Sequence, residues 1–247
     1  YLTPTPQHTP MHPLGSRSGP ARLKQACRAL ACCLLLCLVN PLWAQLNKPP
    51  EAFTIARLKY GGGGDWYNGP TEIPNLLAFL RTETPIRTAS EEARVEVADE
   101  DLFAYPVLYM TGHGNVRFSD EEILRLRTYL ERGGFLFAND DYGMDLSFRR
   151  EIGRLFPDKE LVGVPQDHGI FQTPFSFPGG LPKIHEHDGK APQAFALFHA
   201  GRMVLFYNYE SDIGDGWDDP DVHGDPPGKR LEALRMGANV VVWALTH

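Results

Sequence analysis

The sequence predicts an α/β fold, a three-layer, doubly wound sheet that is mostly parallel. Three observations carry the expectation. Strand-like and helix-like apolar patterns alternate along residues 52–247, the order that builds parallel strands with helices on both faces. Two predicted strands, 105–112 and 135–139, are continuous apolar runs, as strands covered on both sides are. Glycine, aromatic and polar residues gather in the segments that follow the strands.

The elements follow in order. "AFTIARLKY" (52–60) alternates and is β-branched, so it opens the sheet. "GGGGDWYNGP" is a loop; it lacks the Lys and Ser/Thr of a phosphate loop. Residues 71–84 set Ile73, Leu76, Leu77 and Leu80 on one helical face, with Thr71 as cap and Pro74 near the first turn. "ARVEV" (93–97) is a short strand, and 105–112 a buried one. Ser119 and Glu122 form a capping box for a helix that Gly133-Gly134 ends. "FLFAN" (135–139) is the next strand. Met144, Phe148, Ile152 and Leu155 mark a helix over 144–156, stopped by Pro157. "LVGVP" (161–165) is a further strand, 195–210 a hairpin turning at Ala200-Gly201, and the C-terminal segment from Gly228 one helix, against the β-branched run Val240–Val242.

Upstream of this domain, residues 1–28 read as a disordered leader, 29–44 as the apolar core of an export signal behind Arg17, Arg22, Lys24 and Arg28, and 45–51 as a linker. Cleavage after Ala44 is expected, with an uncleaved anchor as the alternative. Cys27, Cys32, Cys33 and Cys37 all lie in or beside the apolar run, so the mature chain has no cysteine. Disulfides, thiolate metal sites and a cysteine nucleophile are thereby excluded. The expected location is periplasmic or extracellular, with no transmembrane helix in the mature chain. A net charge of −7 argues against nucleic acid and anionic membrane as partners. A small polar molecule or an envelope protein is the expected partner.

In a parallel sheet, ligands bind beyond the carboxyl ends of the strands, which selects loops 61–67, 112–115, 139–143, 166–169 and 210–217. Asp140 and Asp141 end a buried strand. A carboxylate at a strand-to-helix turn can act as nucleophile, base or cation ligand, and one of the pair is expected to serve as a helix cap. His113, between Gly112 and Gly114, can titrate near neutrality where backbone amides approach a ligand. His168 is a second candidate base or a structural turn residue. Asp141, His113 and His168 are the catalytic candidates. Asp65, Trp66, Gly112, Gly114, Asn139, Asp140, Tyr142, Arg149, Asp212 and Trp217 are the ligand-binding candidates, with Arg149 facing the carboxylates and the two tryptophans bordering the cleft. His185 and His187 have alternate, metal-like spacing but sit in an irregular segment and are expected at the surface. The acidic run 211–225 lacks EF-hand spacing and is expected to be a solvated loop; calcium is the alternative, and no cofactor is expected.

"YPVLYMTGHGN", "GGFLFANDDYG", "FRREIGRLFP", "DHGIF" and "YNYESDIGDGW", in that order, resemble the bacterial domain-of-unknown-function family 4159 over about residues 52–246. The resemblance implies a flavodoxin-like fold of the class I glutamine amidotransferase-like kind, near the trehalose-utilisation-type proteins, and no settled activity. In amidotransferases a cysteine sits on the turn after the strand; Asp141 of Asp141-Tyr142-Gly143 stands in that place here. Gly112-His113-Gly114 resembles the oxyanion-hole glycines. Tyr209-Glu210-Ser211 stands where a His-x-Glu pair would follow, with no histidine. Thioester hydrolysis of glutamine is therefore not expected. Three functions remain open: a domain that binds a small ligand or partner, an Asp/His hydrolase acting on an envelope glycan or amide, and a structural module. A carboxylate and a histidine within hydrogen-bond reach at an open pocket would separate the hydrolase from the others.

Overall fold

The computed structural model describes residues 52–247. The leader, the apolar signal core, the four cysteines, the cleavage point after Ala44 and the linker lie outside the described residues. Seven strands form one sheet: β1 (Ala56–Lys59), β2 (Ala93–Glu96), β3 (Val107–Met110), β4 (Phe135–Asn139), β5 (Val162–Gly163), β6 (Gln193–His199) and β7 (Arg202–Tyr209). Their order is β2-β1-β3-β4-β7-β6-β5. The first five in that order are mutually parallel. The β6–β7 hairpin, turning at Ala200 and Gly201, reverses direction, and the two-residue β5 closes the edge antiparallel to β6.

The helices are α1 (Glu72–Glu83), α2 (Asp120–Glu131), α3 (Asp145–Leu155), the short α4 (Pro220–His223) and α5 (Pro227–Thr246). Residues of the parallel strands alternate between two cores. Leu108, Met110, Leu136, Ala138 and Val204 face α2 and α3. Val107, Tyr109, Phe135, Phe137 and Phe206 face α1 and α5. The result is helix layer, sheet, helix layer, as the continuous apolar strands foretold.

The capping box of Ser119 and Glu122 forms on α2, each side chain serving the other's backbone N–H. Thr71 does not cap α1; its hydroxyl donates to Asp218 and accepts from the Asp219 N–H. Val240 and Val241 stay helical because both are fully buried, so packing outweighs their weak propensity. Among the described residues no helix is long and apolar enough to cross a membrane.

Candidate functional site

The strand order reverses between β1 and β3: the chain passes from β1 out to β2 and then back across to β3. Crevices form at such points beyond the carboxyl ends of the strands. The loop after β1 is fixed from below by Arg57. This side chain is fully buried; its guanidinium donates to the Asn68 and Gly69 carbonyls at 2.6 and 2.8 Å and to Glu92 at 2.9 Å. Glu72 lies 3.4 Å away. So anchored, the loop delivers two side chains. The Asn68 amide donates to Asp141 Oδ2. Asp65 takes the His113 backbone N–H on Oδ1, and its Oδ2 lies 3.1 Å from His113 Nδ1.

Gly112 makes this approach possible. Its φ is +130°, and a Cβ there would sit 2.6 Å from Tyr60 Oη and 2.9 Å from the Asp65 carbonyl. His113 Nδ1 is also 3.3 Å from Asp141 Oδ2. The two aspartates after β4 divide the work. Asp140 Oδ1 accepts the Met144 N–H at 2.9 Å, at the entrance to α3, while Asp141 turns to the cleft.

Asn139 is buried and holds three strand ends together. Its amide nitrogen donates to Thr111 at 3.0 Å and Asp212 at 3.1 Å; its oxygen accepts from Asn208 at 2.6 Å and from the Gly214 N–H at 3.2 Å. After β7, Glu210 and Asp212 adopt left-handed backbone, φ +57° and +52°. Such strain persists where surroundings over-determine it. The intervening Ser211 carbonyl accepts the N–H groups of Ile184 (2.9 Å) and His185 (3.2 Å), which pulls the 184–188 segment onto the site.

The outcome is an open cleft of about 580 Å³. Its lining includes His113, Asp141, Tyr142, His185, His187, Asp212, Asp215 and Lys229. His187 Nε2 lies 3.4 Å from Asp212 Oδ2, and its ring meets Tyr142 edge to face. Burial, then the Asp212 and Asp215 carboxylates, push the Asp141 pKa well up, against the Asn68 hydrogen bond. Burial acts on Asp212 in the same sense, but hydrogen bonds from His185, His187 and Asn139 outweigh it and hold the group ionised. At neutral pH one proton therefore resides on Asp141 beside an ionised Asp212, the usual settlement between carboxyls that cannot both ionise.

Several expectations are corrected. His168 is remote from the cleft lining: its Nδ1 accepts the Ile170 N–H at 3.2 Å and its ring lies 4.8 Å from Trp243 on the last turns of α5. Arg149 does not face the carboxylates; it pairs with Asp145 at 2.7 Å and stacks over Phe195. Trp217 is fully buried among Tyr109 and Phe137, with its indole N–H on the Ala233 carbonyl, so it belongs to the core. Trp66 packs against the other core beneath Lys59 and is absent from the cleft lining. Asn139 organises the site from within and is inaccessible to a ligand. Gly114 has φ +83° and open space around it.

Two sets of residues were underrated by the sequence reading. His185 and His187 line the cleft. Their alternate spacing is the signal in the sequence; the bonds to the Ser211 carbonyl bring the segment to the cleft. Asp215 and Asp218 of the acidic run are buried instead of solvated, as is the expected site residue Asp212.

A three-layer α/β domain with a carboxylate–imidazole cleft at the carboxyl edge of its sheet defines the class. Residues 54–245 match the family model described as "Domain of unknown function (DUF4159)", and the chain belongs to that family. No curated protein matches the chain.

Proposed function

We propose that the cleft is a hydrolytic site, in which water is the nucleophile, His113 its general base and Asp141 the general acid. The observation that carries this reading is the placement of His113 Nδ1 at 3.1 Å from Asp65 and 3.3 Å from Asp141, at an open cleft. Asp65 holds the Nδ1–H tautomer, which leaves Nε2 with a bare lone pair; the orienting logic is that of a triad's aspartate. His113 Nε2 takes a proton from water as its oxygen bonds the carbon of an amide or glycosidic linkage. Asp141 gives its proton to the departing nitrogen or oxygen, and the carbon–heteroatom bond breaks. The proton gained on His113 Nε2 is released to solvent as the products leave, and Asp141 is reprotonated from water, which restores both groups.

No thiol is needed, which suits an amidotransferase-like scaffold whose nucleophile position holds Asp141. The carboxylate-rich lining disfavours anionic substrates and favours neutral or cationic polar ones such as glycans and amides. The signal-like stretch before residue 45 supports work at the cell envelope.

The test is turnover of a panel of chromogenic glycosides and amides by the full chain and by D141N and H113A. The reading expects a hydrolysed substrate whose kcat falls at least about 100-fold in either variant. Activity unchanged in both variants, or none on any member of the panel, would sink it.

A further inference from the structure

Beside the cleft, two imidazoles converge on one carboxylate oxygen. His185 Nδ1 is 2.9 Å from Asp215 Oδ2, and His223 Nδ1, from α4, is 3.5 Å from the same atom. The far nitrogen of each ring is held by a further carboxylate: His185 Nε2 by Asp225 at 2.9 Å, His223 Nε2 by Asp218 at 3.2 Å.

A neutral imidazole has one N–H. With the outer ring hydrogens donated from Nε2 to Asp225 and to Asp218, both Nδ1 atoms face one anionic oxygen. Without a metal, a proton on His185, held by Asp212 and Asp215, balances that oxygen; a metal ion would displace this proton and take both Nδ1 lone pairs. A buried carboxyl oxygen beside them is also unsatisfied: Asp215 Oδ1 has no hydrogen-bond partner, and the residue is more than nine-tenths buried. Leaving such atoms unpaired is costly unless a cation completes the set.

We propose that His185 Nδ1, His223 Nδ1 and Asp215 form a site for one divalent transition-metal ion, of the kind zinc occupies. The three ligand atoms lie within 4.8 Å of one another. Tetrahedral zinc with bonds of about 2.0–2.2 Å sets its ligand atoms about 3.3 Å apart, and the observed 2.9 and 3.5 Å bracket that value. Carboxylates on the outer ring nitrogens are the arrangement that orients metal-bound histidines and raises their basicity. Imidazole donors favour zinc and its neighbours over calcium or magnesium. Three protein ligands leave a fourth position, and His185 and Asp215 both line the cleft, so that position faces the proposed substrate. The site goes beyond the hydrolytic reading and does not depend on it. It departs from the sequence-based expectation of no cofactor.

The experiment is zinc binding by the full chain, stripped with chelator and followed by titration calorimetry, with calcium as a parallel probe. The expected result is one zinc per chain, with affinity lowered at least about 100-fold in H185Q, D215A and H223Q. D225N should weaken binding by about 10–100-fold through misorientation of His185. His223 is on the surface, so H223Q tests the site without threatening the fold; circular dichroism checks the others. H113A should bind zinc as the wild type does, which separates loss of the metal site from failure of the hydrolytic proposal. Calcium binding without zinc binding, no zinc binding by the stripped wild type, or zinc affinity in H185Q and H223Q equal to that of the wild type would overturn the assignment. In that event two protonated histidines, in place of a metal, neutralise Asp215.

Discussion

Asn139 Nδ2 lies 3.1 Å from Asp212 Oδ1, so the end of β4 is tied directly to the left-handed residue that follows β7. The same side chain also serves Thr111, Asn208 and the Gly214 N–H. Asn139→Leu keeps the volume and strands those four partners. The expected cost is at least about 3 kcal/mol, since each buried group left unpaired costs about 1–3 kcal/mol. Urea unfolding measures it; a loss below 1 kcal/mol would show that the hub is replaceable, by water for example.

Arg57 carries the loop that brings Asp65 and Asn68 to the site. Arg57→Met removes the charge that compensates Glu72 and Glu92 and frees the Asn68 and Gly69 carbonyls. Breaking a buried pair from one side costs about 3–5 kcal/mol. Thermal and denaturant melts should both show this destabilisation. The double variant with Glu72→Leu should recover part of it, and additivity of the two changes would argue against the coupling.

Asp140 gives the fold a pH dependence. Burial, partly offset by the Met144 N–H and reinforced by the Asp145 carboxylate, raises its pKa to about 6. An unfolded aspartate titrates near about 3.9. The folded chain therefore holds this proton more tightly, so the group's contribution is favourable below pH 4 and is lost as pH rises through about 6. The loss amounts to about 3 kcal/mol at most, from 1.36 kcal/mol per pKa unit. Asp140→Asn keeps an oxygen for the Met144 N–H and removes the titration. Stability of D140N relative to wild type should rise between pH 4 and 7; parallel pH curves would refute the assignment.

Gly112 and Gly114 flank His113 and differ in what surrounds them. Both have positive φ, but only at Gly112 would a Cβ strike Tyr60 Oη and the Asp65 backbone. Gly114→Ala should cost about 1 kcal/mol, from backbone strain alone. Gly112→Ala should cost about 2–3 kcal/mol or more and displace Asp65 from His113. Chemical denaturation ranks the two variants, and the reverse order would mean that the loop after β1 yields easily.

The layer architecture was legible because it is written in local periodicity. Continuous apolar runs such as 135–139 announced strands covered on both faces, and Ser119 with Glu122 announced the start of α2. The division of labour between Asp140 and Asp141, one a cap and one turned to the cleft, also followed from their position at a strand end. His168 and Trp217 failed for a common reason: each follows a strand in sequence, and the sequence does not reveal which way the following turn sends the side chain. His168 was drawn to Trp243 and Trp217 into the core under α1 and α5.

His185 and His187 failed in the opposite direction. Nothing in "KIHEHDG" reports the two hydrogen bonds to the Ser211 carbonyl, which joins segments far apart in the chain. The acidic run 211–225 looked solvated because charge in a sequence is read against water. Asn139 and three histidines supply the partners that let Asp212, Asp215 and Asp218 be buried.

By itself, then, the sequence determined the class of fold, the order of most elements and the edge of the sheet on which polar residues gather, because hydrophobic period and turn chemistry act over a few residues. The membership of the cleft was decided only by tertiary structure. Hydrogen bonds and ion pairs between distant loops depend on the path each loop takes across the sheet edge, and neither composition nor spacing encodes that path.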